Sequence, residues 1–430
     1  MTSKSTITRR SLLIRSAAAT ALIASRDRAF GARPERLEQA EKLHREIPVF
    51  LGYCVFHPEQ FQARGGRQCD LEKLAAAGVR TFIASVGFGY RGPNQPHFQI
   101  GPRNYVMAGS DEWLLERQLK RIDELRSAIE ACPRTRLITR ASELPAKPDD
   151  DSIGVIMHLI GNNHTLGVDT VDLFFRRGVR ATHPAMQYHN RWCAGYNGMN
   201  APVMTDFGRE VVARMNKLGI VIDTGHASDE TATALVEASV KPVNDSHTMS
   251  RDVSPQSRGL RDETLRRIAR SGGVIGVHFA DHMLTSEAWR TKYANRSAPR
   301  REWQYNKYVL DRTSDPDERI RLREDQAVRE KFYRDHNLPA DPVVPTIRGA
   351  NVRHLADAVD YLVRLVGIEH VGLGPDVNGI DDDQWPAEMN HIGDLPLLTA
   401  ELLRRGYEEP QLRKLYSDNL RRVYAACLPS

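Results

Sequence analysis

Two hydrophobic rhythms alternate along this chain. Short runs of aliphatic and β-branched residues occupy positions 49–55, 81–86, 153–159, 178–182, 220–223, 242–245, 273–279 and 370–373. Between them lie longer stretches with an apolar residue every three or four positions, as at 112–129, 206–218, 230–239 and 263–271. Runs of four to eight such residues read as buried strands, and the longer spacing reads as amphipathic helix. Strand and helix in repeated succession predict a parallel sheet. Eight such units predict an α/β fold of the closed (β/α)₈ type, a TIM-like barrel, rather than an open sheet. No glycine-rich dinucleotide or phosphate loop follows a strand, which counts further against the open sheet. Residues 395–423 return to helical spacing, with Leu398, Leu402, Leu403, Leu415, Leu420 and Val423 as the buried face that closes the barrel.

Two segments break the rhythm. Residues 280–347 form a long excursion rich in charge and aromatics, among them Trp289, Tyr293, Trp303, Tyr305, Tyr308, Phe332 and Tyr333. A barrel loop of that length is expected to be a lid or an interface. At the start, Thr8-Arg9-Arg10-Ser11-Leu12-Leu13 precedes the weakly apolar stretch 17–24. This reads as a twin-arginine export signal covering residues 1–32, with cleavage near Gly31 or Ala32 and a periplasmic product. Residues 33–430 are then a single barrel domain. No later run reaches the length of a membrane span.

Composition narrows the function classes. The 430 residues are 41% hydrophobic and 27% charged, and the net charge of +5 is spread along the chain. Basic patches interleaved with aromatics are absent, so nucleic acid is not an expected partner. The five cysteines, Cys54, Cys69, Cys132, Cys193 and Cys427, show no Cys-x-x-Cys spacing. An oxidising compartment would permit up to two disulfides, and the spacing selects no pairs.

The chemistry-bearing residues sit past strand ends. His226 follows the run Ile220-Val221-Ile222-Asp223, and His247 follows Pro242-Val243-Asn244-Asp245-Ser246. Two imidazoles at the carboxyl ends of neighbouring strands would converge above the barrel, where such folds keep their active sites. Asp376 follows the last strand, and Arg258 lies eleven residues beyond His247. Two histidines and an aspartate are the residue types for zinc and the proton of its bound water. An arginine supplies a two-pronged grip on a carboxylate.

The motifs Ile222-Asp223-Thr224-Gly225-His226-Ala227-Ser228, Pro242-Val243-Asn244-Asp245-Ser246-His247 and Arg258-Gly259-Leu260-Arg261-Asp262-Glu263 make the chain recognisable. So do Gly272-Gly273-Val274-Ile275-Gly276-Val277, His370-Val371-Gly372-Leu373-Gly374-Pro375-Asp376 and Gly393-Asp394-Leu395-Pro396-Leu397-Leu398-Thr399. Together they resemble the membrane (renal-type) dipeptidase family, metallopeptidase M19, among the amidohydrolase-like, metal-dependent hydrolase barrels. The resemblance implies hydrolysis of dipeptides or similar small amides at two zinc ions bridged by a carboxylate, often in a dimer, for which the excursion is the expected contact. It assigns His226 and His247 to one zinc, Arg258 to the substrate carboxylate, and Asp376 to proton handling beside the attacking water. Other family positions differ. Where the family's first strand ends Asp-Gly-His-x-Asp, this chain has Leu51-Gly52-Tyr53-Cys54-Val55, so Tyr53 and Val55 replace two ligands. Gly161 stands in place of the bridging glutamate and Met186 in place of a substrate-contacting histidine. The expectation is therefore one zinc ion rather than two. Asp376, Tyr53, His158, His164, His183 or His189 would complete its shell, and the spacing does not choose among them. The alternative is a non-catalytic barrel descendant that binds a small ligand or partner.

Overall fold

The structure is a computed structural model describing residues 34–62, 66, 68–86, 111–147, 152–160, 167–185, 190, 192–196, 203–256, 258–286, 349–380 and 382–430. The segment expected to be a signal (residues 1–32), most of the excursion, and positions Gly161, His164, Met186 and His189 lie outside these residues.

Among the described residues there are nine parallel strands: β1 (Val49–Val55), β2 (Val79–Val86), β3 (Thr135–Leu137), β4 (Ile153–Leu159), β5 (Val179–Thr182), β6 (Val221–Ile222), β7 (Asn244–Thr248), β8 (Val274–His278) and β9 (Val371–Gly374). Their order is β6-β5-β4-β2-β1-β9-β8-β7, with β3 paired to β4 off this path. An isolated parallel bridge between Asp223 and Asn244 joins β6 to β7 and closes the ring. The eight-unit barrel read from the sequence is thus the observed fold. The short β3 was not expected; three residues carry too little pattern to register.

Helices flank the strands. They are α1 (Pro34–Glu46), α2 (Leu71–Ala76), α3 (Asp111–Ala131), α4 (Val168–Arg176), α5 (Asp206–Leu218), α6 (Asp229–Ala238), α7 (Asp262–Arg270), α8 (Asp281–Leu284), α9 (Val352–Val366), α10 (Pro396–Arg404), α11 (Glu409–Arg413) and α12 (Asn419–Cys427). Their starts follow side-chain chemistry: Asp70, Thr205, Ser228 and Asn351 each accept a backbone N–H of the first turn. A π-turn at Lys414–Asp418 interrupts the C-terminal helical stretch that the sequence pattern presents as continuous. No helix among the described residues is long and apolar enough to cross a membrane.

Two clusters divide the interior. Phe50, Ile83, Ile156, Ala181, Val221 and Val274 point into the barrel's lower half, where Leu420, Val423 and Tyr424 of α12 cover them. The terminal helix is therefore the barrel's floor. A larger cluster packs the helices on the strands' outer faces. All five cysteines are buried as free thiols, so neither of the two disulfides that the composition allowed is formed. Each thiol is enclosed in apolar packing, and burial raises the pKa of Cys54, Cys69 and Cys193.

Two local features position the site. The β1–β2 register shifts between Leu51 and Cys54. The shift changes the phase of side-chain alternation, so Phe50 and then Tyr53 and Val55 face inward. Second, the Ser246 carbonyl crosses close to β8 and β9. A Cβ added at Gly276 would lie 2.1 Å from that oxygen, and one at Gly374 closer still. Only glycine permits this approach.

His44 ties α1 to the barrel. Its Nδ1 lies 2.8 Å from the Ala77 carbonyl and so carries the proton; its Nε2 accepts the Thr399 hydroxyl at 2.7 Å. Burial lowers its pKa to about 4. The unfolded ring protonates near 6.5, so stability from this group is full above that value and drains away as pH falls through 4. The expected loss between pH 7 and 4 is about 3 kcal/mol at 1.36 kcal/mol per unit. Urea unfolding of the wild type and His44→Met at both pH values tests it. An equal loss in both proteins would refute the assignment.

Candidate metal centre

The carboxyl ends of the strands build a polar layer above the apolar floor. Tyr53 (β1), Ser85 (β2), His158 (β4), His183 just past β5, Asp223 just past β6, Ser246 and His247 (β7) and His278 (β8) are all buried. Asp376, past β9, completes the ring at 8% exposure.

His226 and His247 meet. Their Nε2 atoms are 3.2 Å apart. Two nitrogens bound to one tetrahedral zinc at 2.0–2.1 Å would sit about 3.3 Å apart. His247 does not follow its strand, as the sequence suggested; it lies within β7. The run Asn244-Asp245-Ser246-His247-Thr248 is polar, yet all five residues are buried. Asp245, Ser246 and His247 find polar partners at the barrel's mouth, whereas the Thr248 hydroxyl is buried without one. Ser246 Oγ lies 2.7 Å from His247 Nδ1, and the Thr224 hydroxyl donates to Asp245 Oδ2 at 2.8 Å.

His226 has φ +63°, and Asp376 and Asn378 have φ +54° and +59°. Side-chain-bearing residues hold such angles at a cost of order 1–3 kcal/mol each, and only where surrounding bonds enforce them. Here Tyr196 N–H donates to the His226 carbonyl at 3.0 Å. Gln68 Oε1 accepts the Asn378 N–H at 2.7 Å, and Asn378 Nδ2 donates to the Val55 carbonyl at 3.0 Å.

Arg258 is not at the surface. It is 9% exposed, and its Nη2 donates to the His247 carbonyl at 3.0 Å and lies 3.4 Å from His226 Nε2. Its Nη1 is buried with no hydrogen-bond partner. Burial, then the Arg258 charge, pushes His226, His247 and His278 well below the usual imidazole range. All three rings are neutral at physiological pH. Burial pushes Asp376 up to about 7, against the pull of Arg258.

His278 escaped the sequence reading. Its Nδ1 accepts the Ala280 N–H at 3.0 Å, so the neutral ring carries its proton on Nε2, which faces Asp376 Oδ2 at 3.5 Å. Ligand atoms of His247, His278 and Asp376 lie within 4.8 Å of one another. The available signal was positional: His278 ends an apolar run, as His226 nearly does.

Among the described residues, β1 offers no imidazole or carboxylate to a second ion. Tyr53 lies flat on His247, with ring centroids 3.8 Å apart and planes within 7°. Tyr53, Val55 and Ile160 form a small apolar cluster of their own. An apolar plug thus stands where a second ion would need an imidazole and a carboxylate. His226 and His247 present two nitrogens at ligand spacing, while Asp376 groups with His247 and His278. Of the other third-ligand candidates, Tyr53 is stacked, and His158 and His183 turn instead to Asp223 Oδ2 at 3.1 and 3.2 Å.

Comparison with known proteins agrees with this architecture. The probable dipeptidase PvdM of Pseudomonas aeruginosa superposes with a TM-score of 0.70 at 22% identity, covering 92% of this chain and 99% of that one. A metallopeptidase of Rhodobacter sphaeroides, solved with a phosphinate mimic of the dipeptide L-Ala-D-Ala, gives 0.65 at 20% identity, covering 89% and 99%. An uncharacterised Klebsiella pneumoniae protein encoded in the pqqA 5′ region is 25% identical over 67% of this chain and 88% of its own length. Dipeptidase 3 of Rattus norvegicus is 23% identical over 71% of this chain, which spans about half (51%) of that relative. The sequence profile of the membrane dipeptidases matches residues 37–427, nearly the full length, and the chain therefore belongs to the membrane dipeptidase family, peptidase family M19.

Proposed function

We propose that this protein is a metal-dependent hydrolase of dipeptides or similar small amides, working with one zinc ion rather than two. The observation that carries the reading is the 3.2 Å approach of His226 Nε2 to His247 Nε2 beside the Arg258 guanidinium. Family membership and the dipeptide mimic held by the Rhodobacter relative support the substrate class.

The chain's own groups divide the work. His226 and His247 would hold the ion. The chemistry a bound zinc supplies is polarisation of the amide carbonyl and acidification of a water. Arg258, with a buried and unpartnered Nη1, pairs with the substrate carboxylate. Asp376 takes the proton released when water attacks and passes it to the leaving amine. His278 orients that carboxyl through Nε2–H. The Tyr53, Val55 and Ile160 plug excludes water from the β1 side. That same plug favours a second reading, a barrel that has lost catalysis and binds a carboxylate-bearing ligand.

The test is zinc content and hydrolysis of alanyl dipeptides with L- or D-alanine at the second position. Activity lost at least 100-fold in His247→Ala, together with one zinc, supports the enzyme. A wild type that neither binds zinc nor cleaves any dipeptide establishes the non-catalytic reading.

A guanidinium so close to His226 opposes a dication electrostatically. Two such charges about 5 Å apart repel by several kcal/mol at an effective dielectric of about 20. Arg258→Met is therefore expected to tighten zinc binding about tenfold or more in a chelator competition, while weakening the Michaelis constant for any dipeptide. Unchanged zinc affinity would remove the guanidinium from the site's electrostatics.

Residues 1–32 as a twin-arginine signal and a dimer formed through residues 280–347 complete the proposal. Thr8-Arg9-Arg10-Ser11-Leu12-Leu13 and the aromatic excursion are its support. Cell fractionation of wild type and Arg9→Lys/Arg10→Lys tests export, with the variant expected to stay in the cytoplasm. A monomeric mass in solution would refute the dimer.

A further inference from the structure

Beneath the rim lies a second group of donors that the reading above does not use. His158, His183 and Asp223 are each fully buried, and their ligand atoms lie within 4.8 Å of one another. Both imidazole Nε2 atoms face the same oxygen, Asp223 Oδ2, at 3.1 Å and 3.2 Å. We propose that these three residues form a separate, closed metal site for a divalent cation of the zinc class, one layer deeper than the His226–His247 pair.

The spacing favours this. Nitrogen and oxygen donors at 2.0–2.1 Å from a tetrahedral ion stand about 3.3 Å apart. A charge-assisted N–H···O⁻ bond is shorter, about 2.7–2.9 Å. The two contacts observed are nearer to the edges of a coordination polyhedron. Ser246 Oγ stands 3.3 Å from His183 Nε2, at the spacing of a fourth donor. Nitrogen, nitrogen, carboxylate oxygen and hydroxyl suit zinc or cobalt rather than calcium or magnesium.

The surrounding bonds leave the donor atoms free. Asp223 Oδ1 is committed to the N–H groups of Gly225 and Ser246, each at 2.9 Å, which directs Oδ2 toward the rings. The Ser85 hydroxyl, 3.1 Å from His158 Nδ1, fixes that ring with Nε2 facing inward. Outer partners of this kind are what hold metal ligands in place. Gly225 keeps the neighbouring space clear: a Cβ there would lie 2.7 Å from His183 Nε2. The donors come from β4, the end of β5 and the end of β6, so an ion would clasp three consecutive strands. With no exposed side, it would enter as the chain folds and remain as a structural ion. This inference is independent of whether the rim binds metal.

The test is metal stoichiometry on the full chain after excess zinc and dialysis. Deep-site occupancy predicts that His226→Ala/His247→Ala retains one zinc per chain. His158→Ala and His183→Ala should each lose that equivalent. Cobalt substituted into the rim double variant should give a tetrahedral d–d absorption, and X-ray absorption should report two imidazole ligands. That spectroscopy decides the matter even where the deep variants do not fold. The proposal is overturned if the rim double variant holds no metal, or if the deep variants keep wild-type content. A wild type with two zincs, of which the rim double variant keeps one, supports both sites; a wild type with one zinc that the double variant keeps supports this site and sinks the rim assignment.

Discussion

The barrel's mouth depends on one carboxylate. The ring of strands has no regular ladder between β6 and β7; a single bridge, Asp223 to Asn244, joins them. The Asp223 side chain supplies the missing connection, accepting the Ser246 N–H of β7 and the Gly225 N–H of its own turn. The other oxygen faces His158 and His183, which binds β4 and β5 to the same point. These imidazole contacts hold its pKa well below the usual carboxylate range, although burial works in the opposite direction. Removing one member of such a buried charged group costs about 3–5 kcal/mol. The positions of His226 and His247 follow from it, because each is within three residues of a backbone N–H that Asp223 holds.

Above and below this carboxylate the barrel has opposite characters. The floor is apolar, with Tyr424 and Val423 of α12 meeting Phe50, Val221 and Val274. The upper layer is a continuous set of rings: Tyr53 on His247, His183 between His158 and His226, and His247 against His278. The irregular register of β1 joins the two layers. Without that shift, Tyr53 would face the helices, and the plug over His247 would not form. The aromatic ring fills the volume over His247 at close-packed density.

Much of this was legible in the chain itself. Seven of the eight barrel strands announce themselves by aliphatic runs, and the departure of Tyr53 and Val55 from the family pattern reads directly from the sequence. The polar strand β7 was less legible. Asn244-Asp245-Ser246-His247-Thr248 has no hydrophobic pattern, and Asp245 and His247 within it meet buried polar groups outside the strand. Asp223 stood inside a quoted motif, yet its role depends on His158 and His183, 65 and 40 residues earlier in the chain, which no local spacing reveals. His278 was hidden for the same reason. Its contact with Asp376 arises only once β8 and β9 lie in register, His278 opposite Gly374. Arg258 reads from the sequence as a carboxylate-gripping arginine, but its burial against His226 and His247 is visible only when those histidines are in place.

These placements set the electrostatic character of the rim. Two neutral imidazoles, His247 and His278, and the Arg258 charge lie near Asp376, whose own ionisation is resisted by burial. The balance at the mouth is therefore positive even before any ion is considered. A buried positive charge without a full partner is costly, and Arg258 Nη1 has none. The group that resolves this is an anion small enough to enter and rigid enough to accept two parallel N–H bonds, which describes a carboxylate. A dication between His226 and His247 would raise the demand further, coupling metal and substrate so that each strengthens the other's binding. Under the proposed function, Val55 in the place of a family carboxylate removes negative charge from this rim and leaves Arg258 to favour a carboxylate-bearing ligand.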